Sequence, residues 1–453
     1  MTGTTTYKTD GPDPELPAEL PLGEALQFAV GLHRSGQLDA AETLYRRILE
    51  IEPDQPDALG FLGIISMHRG RLDTAIELIE KAIVLDPGRP ERYSNLGNVL
   101  LAAERVDDAV AAYQKAIELA PAHAAAYNNL GIIYKTQRRF EEAERAYRRA
   151  IELDPSHVEA HNNYGNLFAA QGRTREAIEY YSRAITLRPQ DVNTRKLLSV
   201  AYCALGDFAK AADIYRQRLQ DEPDHPGLRH LLAACSGEGV PERAPDEYIE
   251  HTFDGFSITF DAMLAGLEYR APQLVADAVA RAGATPDKRL VGLDAGCGTG
   301  LCGPLIASYV SRLTGVDLSS GMLSKAHARG VYDDLVKGEL TRFLEDHPAE
   351  YDLVICADTL VYFGVLGGAL EGAFHALRPG GLFIFTVEKA ADADAPGGHR
   401  INPHGRYSHT RGYVERTLKA AGFSDVAIEL DVLRMEGGRP VDGLVVTARK
   451  DRS

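Results

Sequence analysis

The stretch Leu290-Val291-Gly292-Leu293-Asp294-Ala295-Gly296-Cys297-Gly298-Thr299-Gly300 decides the fold of the second half of this 453-residue chain. An apolar run ends in an acid and breaks into alternating glycines, which predicts a strand leading into a ligand-binding loop. Glycines at 296, 298 and 300 allow positive φ and close approach of a ligand, because no Cβ is in the way. Asp294 would face that ligand, and residues 301–310 are predicted to begin a helix.

Two classes of cofactor fit this loop. Residues 298–303 also match the dinucleotide fingerprint, with Asp317 following about 20 residues later. A dinucleotide would bring its pyrophosphate against the loop, where the carboxylate of Asp294 would repel it. S-adenosylmethionine carries an ammonium and a sulfonium group and no phosphate, so the acid favours S-adenosylmethionine over NAD or FAD.

A second acid, Asp317, ends the next apolar run, residues 313–317. We expect its carboxylate to accept hydrogen bonds from both hydroxyls of a ribose. Leu318 and Met322 then lie where an adenine ring needs apolar cover. The alternative is local: Asp317 or Ser319 caps a helix and Met322 belongs to the core. The spacing of Asp317 behind the glycine loop favours the cofactor site.

These residues resemble the class I S-adenosylmethionine-dependent methyltransferases over about residues 248–450. The glycine loop corresponds to that family's first motif, Asp317 to its second, residues 351–363 to its fourth strand with the active-site loop, and residues 377–386 to the turn into its fifth strand. The resemblance implies S-adenosylmethionine as the cofactor. It also implies a set of contact residues: Asp294, Gly296, Cys297, Gly298, Gly300, Asp317, Leu318, Met322, Glu339, Leu340 and Ala357.

The apolar runs of this half predict a parallel sheet, because they alternate with helical segments. They lie at residues 290–294, 313–317, 332–337, 351–356 and 381–387. Residues 430–435 and 444–448 predict a closing hairpin, and the resemblance implies a Rossmann-like α/β domain with a mostly parallel seven-stranded sheet whose seventh strand is antiparallel. Phe253, Phe256 and Phe260 follow helical spacing. They belong either to the core or, as in the resembling family, to a helix that covers the cofactor.

The first half of the chain repeats with a period of 34 residues. Prolines recur at 53, 87, 121, 155, 189 and 223, and alanines at 41, 75, 109, 143, 177 and 211. This period is typical of tetratricopeptide repeats, in which stacked helix pairs bury a shared core. The sequence therefore predicts two domains: an all-α solenoid of six repeats over residues 22–225 after a disordered tail at 1–21, and, beyond a linker at 226–247, the methyltransferase domain at 248–453.

Three asparagines, Asn95, Asn129 and Asn163, occupy one position of this repeat. An amide there can donate to and accept from a peptide backbone. The repeats resemble the solenoids of O-linked GlcNAc transferases, which implies an inner groove lined by asparagines that hold an extended peptide. Each amide could instead bond within its own repeat. The recurrence favours a protein or peptide partner.

The chemistry of the second domain depends on the methyl acceptor, which the sequence does not identify. The acceptor is either a small molecule or a protein side chain. Asp358 follows the fourth strand, and the polar segment 399–410 follows the fifth. We predict Asp358, His404 or His409 as the base or positioning group, and Arg406 and Tyr407 as substrate contacts. Thr410 is expected to cap the next helix.

Three functions remain open: an active methyltransferase whose solenoid recruits a protein, a cofactor-gated scaffold that has lost turnover, and a dinucleotide-dependent oxidoreductase. Composition limits the partners, the cellular location and the metal content that we expect. A net charge of −16 argues against nucleic-acid and membrane partners. Without a membrane span or signal peptide in the sequence, cytoplasmic residence is expected. Five cysteines without zinc spacing predict no metal.

Overall fold

The computed structural model describes residues 6–8 and 19–452, and it forms two compact units, Met1–Ala201 and Tyr202–Ser453. Two short strands, β1 (Thr6–Lys8) and β2 (Glu19–Pro21), pair antiparallel within the predicted tail. The remainder of that tail, residues 1–5 and 9–18, lies outside the described residues.

The first unit is built from consecutive antiparallel helix pairs, as the 34-residue period predicts. Gly97, Gly131 and Gly165 show why: a Cβ on any of them would come within 2.6 Å of the Tyr113, Tyr147 or Tyr181 ring respectively. The helices are α1 (Leu22–Arg34), α2 (Leu38–Ile51), α3 (Pro56–His68), α4 (Leu72–Leu85), α5 (Pro90–Ala102), α6 (Val106–Leu119), α7 (Ala124–Thr136), α8 (Phe140–Leu153), α9 (Val158–Ala170), α10 (Thr174–Leu187) and α11 (Val192–Leu205), the last of which runs into the second unit.

The second unit begins with α12 (Phe208–Asp221) and α13 (Pro226–Ser236), which continue the repeat. Three further helices precede the sheet: α14 (Asp246–Phe256), α15 (Phe260–Gly266) and α16 (Ala271–Arg281). Helix α13 occupies the first half of the segment that was predicted as a linker, 226–247. The His225 ring accepts the Leu228 N–H at 3.3 Å as its cap, and the buried Leu228 packs with Tyr215 of α12. Its apolar face therefore closes the last helix pair.

A mixed sheet follows, in the order β10-β11-β7-β6-β3-β4-β5. Its elements are β3 (Leu290–Ala295), α17 (Gly303–Ile306), β4 (Val310–Asp317), α18 (Ser320–Ala328), β5 (Asp334–Lys337), α19 (Leu340–Asp346), β6 (Tyr351–Cys356), a 3₁₀ turn (Leu360–Tyr362), α20 (Gly367–Ala376), β7 (Leu377–Lys389), β8 (His399–Ile401), β9 (Tyr407–His409), α21 (Arg411–Ala420), β10 (Ser424–Glu436) and β11 (Arg439–Arg449). Strands β3 to β7 are parallel, whereas β11 is antiparallel to β7 and β10. The predicted Rossmann-like fold is confirmed.

Three details differ from the prediction or refine it. The helix expected over 301–310 spans only Gly303–Ile306, because the chain already enters β4 at Val310. The segment expected to be a polar loop contains β8 and β9, and β9 extends the sheet beside β7. The hairpin turns through Gly437 and Gly438 at φ of 55° and 75°, conformations that favour glycine in two-residue hairpin loops.

Apolar layers cover both faces of the sheet. One layer includes Val354, Phe383 and Phe385, and the other includes Leu353 and Ile384. This alternation follows the two-residue period of a strand. The carboxyl ends of β3, β4 and β6 consequently meet at one edge, where ligands bind in such sheets. Among the described helices, none has the length and hydropathy needed to cross a bilayer.

Candidate active site

A cavity of about 330 Å³ lies at this edge of the sheet. All the predicted cofactor residues except Gly300 line it. They come from four chain segments: the loop after β3, the end of β4 with the start of α18, the start of α19, and the residues that follow β6. The fold thus brings the predicted motifs to one site.

The glycine loop has the backbone that its sequence demands. Gly296 has a φ of 77°, and a Cβ there would lie 2.3 Å from Cγ2 and Oγ1 of Thr359. Gly298 has a φ of 54°, but a Cβ there would meet nothing within 4 Å. Gly300 supports the loop from behind, where a Cβ would lie 2.8 Å from the Tyr332 ring. Gly298 therefore borders the open space that a ligand would fill.

Asp294 is the most buried acid of the site, at 1% exposed. Its Oδ2 accepts a hydrogen bond of 2.7 Å from the Tyr332 hydroxyl. Burial raises the pKa of the Asp294 carboxyl to about 7, because a low-dielectric environment disfavours the charged form. A cation arriving in the cavity would stabilise the ionised form.

Asp317 is held by backbone amides. Its Oδ2 accepts the Gly298 N–H at 2.9 Å, and its Oδ1 accepts the Ser319 N–H at 2.9 Å. Each carboxylate oxygen keeps further acceptor capacity. Burial raises the pKa of Asp317, opposed by these hydrogen bonds. The cap of α18 is Ser319, whose hydroxyl accepts the Met322 N–H at 3.1 Å.

Glu339 lines the cavity but already has three partners. Its carboxylate caps α19 by accepting the N–H groups of Thr341 at 3.0 Å and Arg342 at 2.9 Å, and it pairs with Arg243 at 3.2 Å. The side chain is thus fixed by the helix start. Leu340 beside it offers the cavity an apolar surface.

The aromatic stripe covers the cavity. Phe253, Phe256 and Phe260 all line it from α14 and α15. The Asp254 carboxylate accepts the Gly321 N–H at 3.0 Å, and Asp261 pairs with Arg329 at 2.6 Å. These contacts fasten the covering helices to the sheet domain, as expected of a segment that excludes water from the site.

A charged cluster forms the far wall. Asp358, at a φ of 57°, pairs through Oδ2 with Arg434 at 2.7 Å, while its buried Oδ1 has no hydrogen-bond partner. Arg434 is 3% exposed, and it also bonds Glu388 and, at 2.6 Å, Glu436. Burial raises the pKa of Asp358, whereas Arg434 lowers it.

The predicted substrate contacts are engaged by the protein itself. Arg406 lines the cavity, but its guanidinium pairs with Glu388 at 2.7 Å and Glu436 at 2.5 Å. Tyr407 is fully buried in β9, and its hydroxyl donates to the Pro241 carbonyl at 2.6 Å. Neither side chain is free to bind substrate in this conformation.

The two predicted histidines do not line the cavity. His409 is fully buried in β9 with Nε2 3.2 Å from the Gly364 carbonyl, and burial lowers its pKa to about 4. Burial likewise lowers the pKa of His404 to about 4, with its Nδ1 accepting the Arg406 N–H at 3.3 Å. Of the predicted catalytic residues, the structure brings only Asp358 to the cavity. Thr410 caps α21 by accepting the Tyr413 N–H at 3.3 Å.

Sequence reasoning missed several residues of the site. Tyr332 donates a hydrogen bond to Asp294, Glu388 and Arg434 belong to the charged cluster, and Tyr269 and Tyr362 line the cavity. The sequence signal for Arg434 is that it is the only basic residue of β10, a strand that also carries four acids. The other residues reach the site only through the tertiary fold, and the sequence near them gives no signal of it.

The three asparagines of the solenoid are half-buried on their helices. Asn129 donates to Asn98 at 2.8 Å and accepts from Asn128 at 3.1 Å. Asn163 donates to Asn128 at 3.0 Å. Two of the three amides therefore belong to a hydrogen-bonded network within the solenoid.

Comparison with known proteins gives separate matches for the two halves. Residues 24–231 match the family described as cilia and flagella-associated protein 70 C-terminal domain, and residues 293–385 match the family described as methyltransferase domain. The matched methyltransferase family uses S-adenosylmethionine.

Curated relatives match the second half. Human methyltransferase-like protein 27 is 33% identical over 154 residues, which cover 34% of this chain and 61% of that protein. A ubiquinone biosynthesis O-methyltransferase of Xylella fastidiosa is 27% identical, covering 22% and 43%, and nodulation protein S of Azorhizobium caulinodans is 34% identical, covering 22% and 49%. The chain spans about half the length of the curated relatives it matches.

Among solved structures, MamA is 28% identical, covering 36% of this chain and 96% of that one, with a TM-score of 0.31. A thermophilic tetratricopeptide protein of Thermus thermophilus is 25% identical, covering 40% and 98%, with a TM-score of 0.37. Together with the helix pairs and the mixed sheet, the two family matches show that the chain carries a tetratricopeptide-type repeat domain followed by a Rossmann-like methyltransferase domain.

Proposed function

We propose that this protein is an S-adenosylmethionine-dependent methyltransferase of class I whose solenoid binds a protein partner or protein substrate. The observation that carries the proposal is the cavity that joins the glycine loop, Asp294 and Asp317 to the aromatic cover and Asp358. The acids and the open loop suit a cationic nucleoside, and the covered space beside Asp358 suits a methyl acceptor.

The chain's residues fit S-adenosylmethionine. Open space beside Gly298 leaves the loop backbone accessible. Asp294 would hold the ammonium group, Asp317 the ribose hydroxyls, and Leu318 with Met322 the adenine face. A dinucleotide fits less well, because its pyrophosphate would lie beside the buried Asp294.

When bound, S-adenosylmethionine supplies an activated methyl group. The chain's part is to align the acceptor and exclude water, which can account for a large share of the acceleration. Phe253 and Phe260 of the cover keep water out. Asp358 is the titratable group of the far wall with an unpartnered buried oxygen, so it is our candidate for orienting an acceptor or taking its proton.

Titration calorimetry of the full chain with S-adenosylmethionine, S-adenosylhomocysteine and NAD tests the cofactor. We expect both sulfur compounds to bind and NAD to bind at least about 100-fold more weakly. Asp317→Ala should abolish binding of the sulfur compounds, whereas Asp334→Ala, at an exposed acid paired with Arg312, should not. Binding of NAD alone would support the oxidoreductase instead.

Turnover separates an enzyme from a cofactor-gated scaffold. A lysate incubated with the protein and methyl-labelled cofactor should show label on a protein or a metabolite that the lysate alone leaves unlabelled, and the Asp317→Ala variant should not add that label. Cofactor binding without any labelled product would favour the scaffold. The presence of both Asp294 and Asp317 argues against a domain that has lost its turnover.

A pull-down with the full chain tests the solenoid. Simultaneous Asn95→Ala, Asn129→Ala and Asn163→Ala should reduce recovery of a partner, because amides of an inner groove hold peptide backbone. Lys115→Ala with Arg149→Ala, at exposed positions of the repeat, is the control. Equal recovery by both variants would leave the asparagines a role within the solenoid alone.

A further inference from the structure

The charged cluster at the far wall of the cavity restricts what can be methylated. It consists of Asp358, Glu388, Glu436, Arg406 and Arg434, and all of these except Glu388 line the cavity. We propose that the methyl acceptor is an amine carried on an apolar body, with its nitrogen bound by Asp358. This inference rests on the proposed function of the same site.

The arginines are not available to an anionic acceptor. Arg434 bonds three carboxylates, those of Asp358, Glu388 and Glu436. Arg406 bonds two, those of Glu388 and Glu436. A carboxylate or phosphate would have to displace one of these buried pairs and leave its acid uncompensated, which is costly.

With Asp358 ionised, the charges of the cluster sum to an excess of one negative charge. Three carboxylates face two guanidinium groups, and His404 beside them stays neutral because burial lowers its pKa to about 4. Arg243, the other arginine of the lining, pairs with Asp246 at 2.8 Å and with Glu339 at 3.2 Å. A cation therefore complements this wall, and an anion does not.

Asp358 is the member of the cluster that lacks a hydrogen-bond donor for one of its carboxylate oxygens. Its Oδ2 faces Arg434, its backbone N–H donates to Thr386 Oγ1 at 2.8 Å, and its Oδ1 is buried without a partner. A buried acceptor without a donor costs free energy. An ammonium or amine in the cavity supplies that donor.

Apolar and aromatic side chains make up much of the remaining cavity lining. Met263, Leu264, Tyr269 and Tyr362 line the cavity, and burial raises the pKa of both tyrosines, so they stay neutral. Aromatic faces also attract cations. The body attached to the amine is thus expected to be apolar.

The reaction balances with the groups at hand. An incoming R–NH₃⁺ gives one proton to the Asp358 carboxylate and becomes R–NH₂. Its lone pair forms the N–C bond to the methyl carbon, and the electron pair of the breaking C–S bond stays on sulfur. The products are a neutral thioether, a methylated ammonium ion and protonated Asp358.

Three probes of equal shape test the inference: 3-phenylpropylamine, 3-phenylpropan-1-ol and 3-phenylpropanoate. Each is titrated at pH 8 into the full chain, with and without S-adenosylhomocysteine. We expect the amine to bind at least about tenfold more tightly than the alcohol or the carboxylate. Asp358→Asn should reduce affinity for the amine about tenfold and change affinity for the alcohol little, whereas Asp431→Asn, at the exposed pair with Arg270, should change neither.

Each possible result of these titrations either supports or rejects the amine acceptor. The inference fails if the carboxylate or the alcohol binds as tightly as the amine, if no probe binds, or if Asp358→Asn leaves affinity for the amine unchanged. If Asp358→Asn does not fold, the ranking of the three probes with the unchanged protein decides alone. Failure of S-adenosylhomocysteine to bind would instead reject the proposed function, so the two failures are distinguishable.

Discussion

Replacing Asp294 by asparagine should stabilise the cofactor-free protein and weaken cofactor binding at the same time. Asparagine keeps an oxygen that can accept the Tyr332 hydroxyl, now 2.7 Å from Oδ2. What it removes is a carboxylate that is 1% exposed and paired only with a neutral group. The two effects have one cause, the buried charge.

The pKa of Asp294 gives the size of the first effect. Because burial raises it from 3.8 to about 7, ionising Asp294 costs the folded state about 4 kcal/mol. Below pH 3.8 the carboxyl is protonated whether the chain is folded or unfolded, and the cost is absent. As pH rises towards 7 the unfolded chain releases the proton and the folded chain keeps it, so stability falls. The gain from Asp294→Asn should therefore grow from below about 1 kcal/mol at pH 4 to about 4 kcal/mol at pH 8.

Hydrogen exchange followed by mass spectrometry can localise this gain to the second unit. The slowest amides of β3 and β4, measured in increasing urea at pH 5 and pH 8, report the free energy of unfolding of that unit. Asp334→Asn, at an exposed acid, is the control. Calorimetry with S-adenosylmethionine at pH 8 should show a loss of about 10-fold to 100-fold for Asp294→Asn, as expected for a charge-assisted hydrogen bond.

Two results would refute this reasoning. A gain in stability that is equal at pH 5 and pH 8 would mean that the carboxyl is not the source. Unchanged cofactor affinity in Asp294→Asn would mean that this acid does not hold the ammonium group.

Four other perturbations probe the glycine loop, the charged cluster, the buried histidine and the pH dependence of binding. Gly296→Ala should unfold the loop and abolish cofactor binding, since its Cβ would lie 2.3 Å from Thr359. Gly298→Ala would meet nothing within 4 Å and would carry only the backbone strain of a φ of 54°, so it should lower the melting temperature by a few degrees and weaken cofactor binding. Arg434→Met should destabilise the second unit by about 3–5 kcal/mol in urea unfolding, because Asp358 and Glu388 lose their buried partner. His409→Asn should lower stability but leave the pH profile of kcat unchanged, because the ring is fully buried away from the cavity; a shifted profile would make it the base after all. The apparent cofactor affinity of the unchanged protein should fall about tenfold per pH unit below pH 7, as protons compete for Asp294, and the Asp294→Asn variant should lack this slope in calorimetry.

The sequence was informative wherever structure depends on neighbouring residues. The glycine loop, Asp317 and the strands that carry them are local patterns, and the structure brings them to one cavity. The 34-residue period likewise specifies each helix pair, because the glycine of one helix faces the aromatic residue of the next. Local chemistry and the fold agree in these segments.

The sequence was less informative wherever distant segments meet. Tyr332 reaches Asp294 across 38 positions, and Arg434 reaches Asp358 across 76. Residues 399–410 are polar, and that composition predicts an exposed loop. Pairing of β9 with β7 instead buries His409. A strand of three residues is too short to show a two-residue hydrophobic period, so the sequence did not indicate this burial.

One buried contact decides how this protein can be divided. His230 of α13 lies 2.8 Å from the Gly405 carbonyl and packs against Tyr248, within the second unit. A fragment cut at residue 225 would strip that helix from the segment it supports. Domain exchange or truncation should therefore cut the chain at Gly206, in the turn between α11 and α12, so that the last helix pair stays with the catalytic half as its scaffold.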